Sequence, residues 1–135
     1  MGSRTKARKR ALDILFEADQ RMARVSEVLA RTAADHPLND YVQVLVDGVA
    51  EHQTVIDETI ETYAHDWPLE RMPAVDRALA RIGCFELLFM TDVPPTVVID
   101  EIVTMAADIS TDDSPAFLNG LLSRIESIKH RISLD

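Results

Sequence analysis

Apolar residues recur every three or four positions along nearly the whole chain, the period of a helix that buries one face. Residues 5 to 22 set Ala11, Leu12, Leu15, Ala18 and Met22 on one stripe. A short helix over Glu27 to Ala34 follows, with Ser26 as its cap and an end near His36-Pro37. Asn39 or Asp40 then opens one long helix through Val42, Leu45, Val46, Val49, Ile56, Ile60 and Tyr63. Trp67-Pro68 and Met72-Pro73 punctuate the middle of the chain and divide it into two halves. Residues 74 to 91 carry the widest apolar face, with Val75, Ala78, Leu79, Ile82, Phe85, Leu88 and Phe89, which suits a central helix. Pro94-Pro95 ends it, and Thr96 starts another helix that reaches Ile109. Its β-branched Val97, Val98 and Ile99 leave a short strand as the alternative. Ser114 reads as an N-cap with Pro115 at the first helical position, opening a last helix through Phe117, Leu118, Leu121, Leu122, Ile125, Ile128 and Ile132. The fold class is all-α, with no internal repeat.

Charge adds what periodicity does not. The first ten residues hold Arg4, Lys6, Arg8, Lys9 and Arg10 and no acid, whereas the other 125 carry nine cations against 23 acids. A basic end on an acidic body can dock on a polyanion that the body would repel. These cations fall at a helix N-terminus, where they oppose the macrodipole, so helix stability does not explain them. From charge alone a basic tail or an expression remnant is an equal reading, and Met1-Gly2-Ser3 has the look of a cloning scar. With 47% apolar residues and four glycines the chain has the makings of a packed body of 135 residues. A lone cysteine, no apolar run of membrane length, and Asp13, Glu17 and Asp19 where a signal peptide would be apolar point to a cytoplasmic protein.

Catalytic and metal chemistry finds little support. His36, His52, His65 and His130 lie far apart, and none stands at ligand spacing from Cys84. Cys84 itself sits in the apolar stretch Ile82 to Phe89 and reads as a small buried hydrophobe. There is no glycine-rich phosphate loop or serine elbow, and Asp100-Glu101 and Asp112-Asp113 read as solvated helix starts. No enzyme, cofactor or metal is expected.

Two stretches are more specific: Pro73-Ala74-Val75-Asp76-Arg77-Ala78-Leu79-Ala80-Arg81-Ile82 with Phe85-Glu86-Leu87, and Ser110-Thr111-Asp112-Asp113-Ser114-Pro115-Ala116-Phe117-Leu118-Asn119-Gly120-Leu121-Leu122. Asp92-Val93-Pro94 and Val98-Ile99-Asp100-Glu101 link them, and Arg8-Lys9-Arg10-Ala11-Leu12-Asp13-Ile14-Leu15-Phe16-Glu17 precedes them. In this order they resemble the NusB family of transcription antitermination factors, with an actinobacterial look. The resemblance implies a NusB-like fold of about seven helices, in two halves packed at roughly right angles, one RNA-binding domain over 1–135 with halves at about 4–66 and 69–133. It also implies a non-catalytic function. Such proteins bind the boxA element of ribosomal RNA leader transcripts together with the small-subunit ribosomal protein NusE, and join RNA polymerase and other Nus factors.

The family's RNA surface carries over onto Arg4, Lys6, Arg8, Lys9 and Arg10, then onto Phe117, since cations hold phosphates and an aromatic ring stacks on an unpaired base. Spacing alone puts Phe117 in the core beside Leu121. The family's protein-partner surface carries over onto Phe16, Glu17, Asp76, Arg77 and Asp113, and acids there would complement a basic NusE. On this reading Asp76→Lys weakens NusE binding without unfolding the chain, and Arg81 pairs with Glu86 or Asp76 as surface charge. Two departures stand out: Ala116 replaces a lysine common in the family, and Phe16 replaces a frequent tyrosine. The alternatives are a protein-protein scaffold, an inactive homodimer that covers its RNA surface, or an RNA-binding domain related to that of ribosomal RNA methyltransferases.

Overall fold

A computed structural model describes residues 2–65 and 67–132. Among them the chain forms seven α-helices and no strand: α1 Ser3–Arg21, α2 Val25–Asp35, α3 Asp40–Glu51, α4 Gln53–Tyr63, α5 Ala74–Phe89, α6 Pro95–Ile109 and α7 Ser114–Ile128. Single 3₁₀ turns follow α4 and α7, at Leu69–Arg71 and Lys129–Arg131. The strand considered for Val97 to Ile99 is therefore helix. The half-boundaries expected at 66 and 133 fall on residues outside those described, as does Met1.

α5 is the axis of the molecule, buried on nearly every side from Ala78 to Leu88 and packed against α1, α3, α4, α6 and α7. Buried apolar residues from all seven helices join one core. Leu79, Ile82, Leu118, Leu121, Leu122 and Ile125 are withdrawn from solvent, each side chain contributing roughly 1.5–3 kcal/mol. Two glycines set the closest approaches to α5. A Cβ at Gly48 of α3 would collide with the Phe85 ring, and one at Gly83 would lie 2.8 Å from a Leu122 methyl of α7.

Helix ends differ from the expected ones in four places. The long helix from Asp40 to Tyr63 is two helices, because His52 leaves helical geometry at φ −105°, ψ 21°. The ladder barely notices: the His52 amide donates to Gly48 and its carbonyl accepts from Ile56, both at 3.0 Å. Ser26 lies inside α2, whose cap position is Arg24. Met22 leaves the α1 stripe as a left-handed C-cap, φ 53°, with its side chain 94% exposed. Ser114 is the first residue of α7 rather than its cap, and its buried hydroxyl donates to Asp76 of α5 instead. Asn39 caps α3 as expected, its side-chain oxygen accepting from the Tyr41 and Val42 amides.

Candidate nucleic-acid interface

The basic N-terminal segment is the first two turns of α1, and its five cations have different fates. Arg8 points inward. It lies on the same stripe as Ala11, Leu12 and Leu15, three, four and seven residues on, and is 2% exposed. Its Nε donates to Glu86 Oε1 at 2.7 Å and its Nη2 to Glu86 Oε2 at 2.8 Å, a bidentate pair inside the protein. Its Nη1 donates to Glu101 of α6 at 3.2 Å, and the Thr5 hydroxyl donates to the same Glu101 oxygen. The Tyr41 hydroxyl of α3 donates to Glu86 Oε2 at 2.9 Å. Burial opposes the charge on Arg8, but the bonds to Glu86 and the carboxylate charges around it outweigh this and hold its pKa above the ordinary value. For Tyr41, burial first and then the Glu86 carboxylate push the phenol upward, with Arg8 and Arg4 opposing.

The remaining cations keep at least part of their surface in solvent. Lys6 is exposed, while Lys9 and Arg10 are half-buried along the side of α1. Arg4 stands over the Tyr41 ring, 4.6 Å from its centroid, and pairs with exposed Asp92 at 3.0 Å. The Arg4 bond is the main cause that holds the Asp92 carboxyl below its usual range. The structure thus offers an outward cationic edge on a helix whose inward arginine ties α1 to α3, α5 and α6.

At the other end of α5 a second polar knot is closed. Asp76 is fully buried and accepts from the Ser110 and Ser114 hydroxyls, the latter at 2.7 Å. The Ser114 oxygen also accepts from the Thr111 amide at 3.2 Å, so one carboxylate holds the α6–α7 turn against the first turn of α5. Next to it Arg77 grips Asp19 of α1 with Nε at 2.9 Å and Nη2 at 2.6 Å, and its Nη1 donates to the Leu69 and Met72 carbonyls. Among the described residues no group of His, Cys, Asp and Glu side chains could hold a metal ion, and no helix is long and apolar enough to cross a membrane.

A family model described as "NusB family" matches residues 5–127. The chain belongs to the NusB family. A transcription antitermination protein NusB of Kineococcus radiotolerans is 53% identical over 135 residues, covering 98% of this chain and 99% of that protein. Its counterpart in Thermobifida fusca is 51% identical over 98% of this chain and 95% of its own. Among solved structures, T. maritima NusB superposes with a TM-score of 0.84 at 29% identity, covering 94% of this chain and 92% of that one. A NusB chain from a crystal structure of the antitermination factors NusB and NusE in complex with double-stranded RNA gives 0.82 at 27% identity, over 94% and 98%.

Within this NusB-family fold the predicted site residues separate into surface and scaffold. Arg8 is scaffold: a guanidinium held by two carboxylates away from solvent cannot reach a phosphate. Asp76 and Arg77 are scaffold too, because the first is sealed by two serines and the second is spent on Asp19 and two carbonyls. The placement argues against Asp76→Lys sparing the fold, since a lysine there would bury an unpaired ammonium. Phe16 is half-buried, Glu17 is engaged by Arg21 and Arg31, and Asp113 is exposed at the α7 start. Phe117 is half-buried with its ring edge-on to Trp67, centroids 4.5 Å apart. It flanks the Asp76 knot, whereas Arg8 meets α5 at Glu86, ten residues or about 15 Å along the helix. Arg81 pairs with neither Glu86 nor Asp76 but with Asp57 of α4, at 2.9 and 3.1 Å.

Sequence reading missed Tyr41, Glu86, Glu101 and Asp92 as partners of the basic segment. Glu86 had a signal: it is the one charged residue between Ile82 and Phe89, and a carboxylate in such a run needs a cation.

Proposed function

We propose that this protein is a non-catalytic RNA-binding antitermination factor, its helical halves acting as one domain. It binds boxA-type single-stranded RNA of ribosomal RNA leaders together with NusE and joins the RNA polymerase antitermination complex with other Nus factors. The observation that carries the reading is the fold shared with a NusB chain whose structure is a complex with NusE and double-stranded RNA. The outward edge of α1 supports it independently. Arg4, Lys6, Lys9 and Arg10 supply phosphate contacts, and Phe117 supplies a ring face for a base. Arg8 holds the edge in place rather than touching RNA. Phe16, Glu17 and Asp113 meet NusE, with Arg77 and Asp76 fixing the frame behind them. RNA approaches from the basic end because the acidic remainder repels it, so affinity is salt-sensitive. Titrating labelled boxA RNA with and without NusE tests the reading. Tighter binding with NusE is expected, and identical isotherms would contradict joint recognition.

A further inference from the structure

The region between Arg31 and Arg71 contains no lysine or arginine and nine aspartates and glutamates, as many negative charges as the net charge of the whole chain. α3 and α4 lie within it. Between α3 and the C-terminal end of α5 runs an open groove of about 650 Å³. Asp40, Asp47 and Glu51 stand on its exposed α3 rim at helical spacing, and none of the ion pairs among the described residues involves them. Its floor is aromatic and aliphatic apart from the His52 imidazole. His52 stacks on Phe89 with centroids 4.0 Å apart and planes 17° from parallel, and Phe85 lies behind Phe89 at 5.6 Å. Half-buried Met90 and 39%-exposed Val44 complete it. Gly48 shapes the groove: lacking a side chain, it lets the Phe85 ring lie against α3.

An apolar trough under an unneutralised acidic rim selects its occupant by charge. It repels phosphate, so neither RNA nor an anionic membrane fits. We propose that this groove docks a cationic amphipathic helix of a protein partner, with an aromatic or aliphatic anchor against Val44, Phe89 and Met90 and its arginines or lysines toward Asp40, Asp47 and Glu51. The mode is a helix laid in a groove, with the rim charges setting association rate and register. The groove adjoins Arg4 of the α1 edge, which stacks on Tyr41 beside Asp40, but shares no lining residue with that edge or with Phe16, Glu17 and Asp113, so the inference stands whether or not RNA binds as proposed.

The probe is a fluorescein-labelled helical peptide with arginines flanking one phenylalanine, titrated into the full chain by anisotropy and followed by amide NMR. Saturable binding is expected, with shifts at Val44, Asp47, His52 and Met90. Val44→Glu and Asp47→Lys, both at exposed positions, should each weaken it about tenfold and leave the thermal midpoint in place. Three results would overturn the proposal: equal affinity for a peptide with alanine in place of phenylalanine, shifts located away from the groove, or no binding. Concentration-dependent shifts of the same amides without peptide would assign the groove to a second copy of the chain and overturn it as well.

Discussion

Arg8 and Glu86 face each other as two parallel hydrogen bonds, 2.7 and 2.8 Å, with 2% and 0% of their side chains exposed. Residues 78 apart in the chain are thereby fixed to each other, and the basic first turns of α1 are set on the central helix.

Removing one partner leaves the other charge buried. Arg8→Ala or Glu86→Ala should each cost about 3–5 kcal/mol in urea unfolding, whereas Arg8→Met combined with Glu86→Leu should recover much of the loss. Equal destabilisation by the double and the single variants would show that the pair is not the coupled unit described.

Asp76 behaves likewise at the opposite end of α5. Ser114→Ala deletes one of the two hydroxyl donors to a buried carboxylate and should lower stability by about 1–3 kcal/mol. Asp76→Lys should abolish cooperative unfolding rather than merely alter partner affinity. A near-native thermal midpoint for Asp76→Lys would refute the buried placement.

Much of this was legible in the sequence. Prolines 73, 94 and 95 marked helix ends, and Asn39 marked a start, because ring constraints and cap bonds act locally. The break at His52 was not legible. Val49 and Ile56 are seven residues apart, so the apolar stripe stays in phase across the kink, no proline marks it, and Gly48 lies inside α3 a full turn before it. In the candidate site the charge of the N-terminal segment was plain, but charge does not say which cation turns inward. Only the register of Arg8 with Ala11, Leu12 and Leu15, matched to Glu86 in its apolar run, distinguishes it from Lys6 and Arg10. Asp76 and Arg77 looked like surface because a first-turn Asp-Arg pair is equally at home in solvent. The serines that seal Asp76 come from a turn more than thirty residues later.

Alkaline pH should loosen the fold. Burial, then the charge of Asp57, pushes the Cys84 thiol from its ordinary value of 9.0 to about 12, and Tyr41 is raised as well. Both groups are neutral when protonated, so the Cys84 contribution is whole below pH 9 and lost as pH rises to about 12, while that of Tyr41 is whole below pH 10 and declines above it. Urea midpoints should fall over that window, and less steeply in a Cys84→Ala variant. At about pH 8 folded protein should resist iodoacetamide and react only once unfolded. Rapid alkylation of the native chain would contradict the burial.

In the proposed function the outward edge of α1 holds RNA while Arg8 holds the edge. The most direct test is the salt dependence of boxA RNA binding, with NusE present, for the wild type and for a Lys6→Ala, Lys9→Ala, Arg10→Ala variant. All three side chains lie at least partly in solvent, so the variant should fold normally. Affinity should fall, and the slope of log K against log salt should become shallower by roughly two, about 0.7 for each phosphate of the single strand that is no longer neutralised. An unchanged affinity and slope in the folded variant would contradict it.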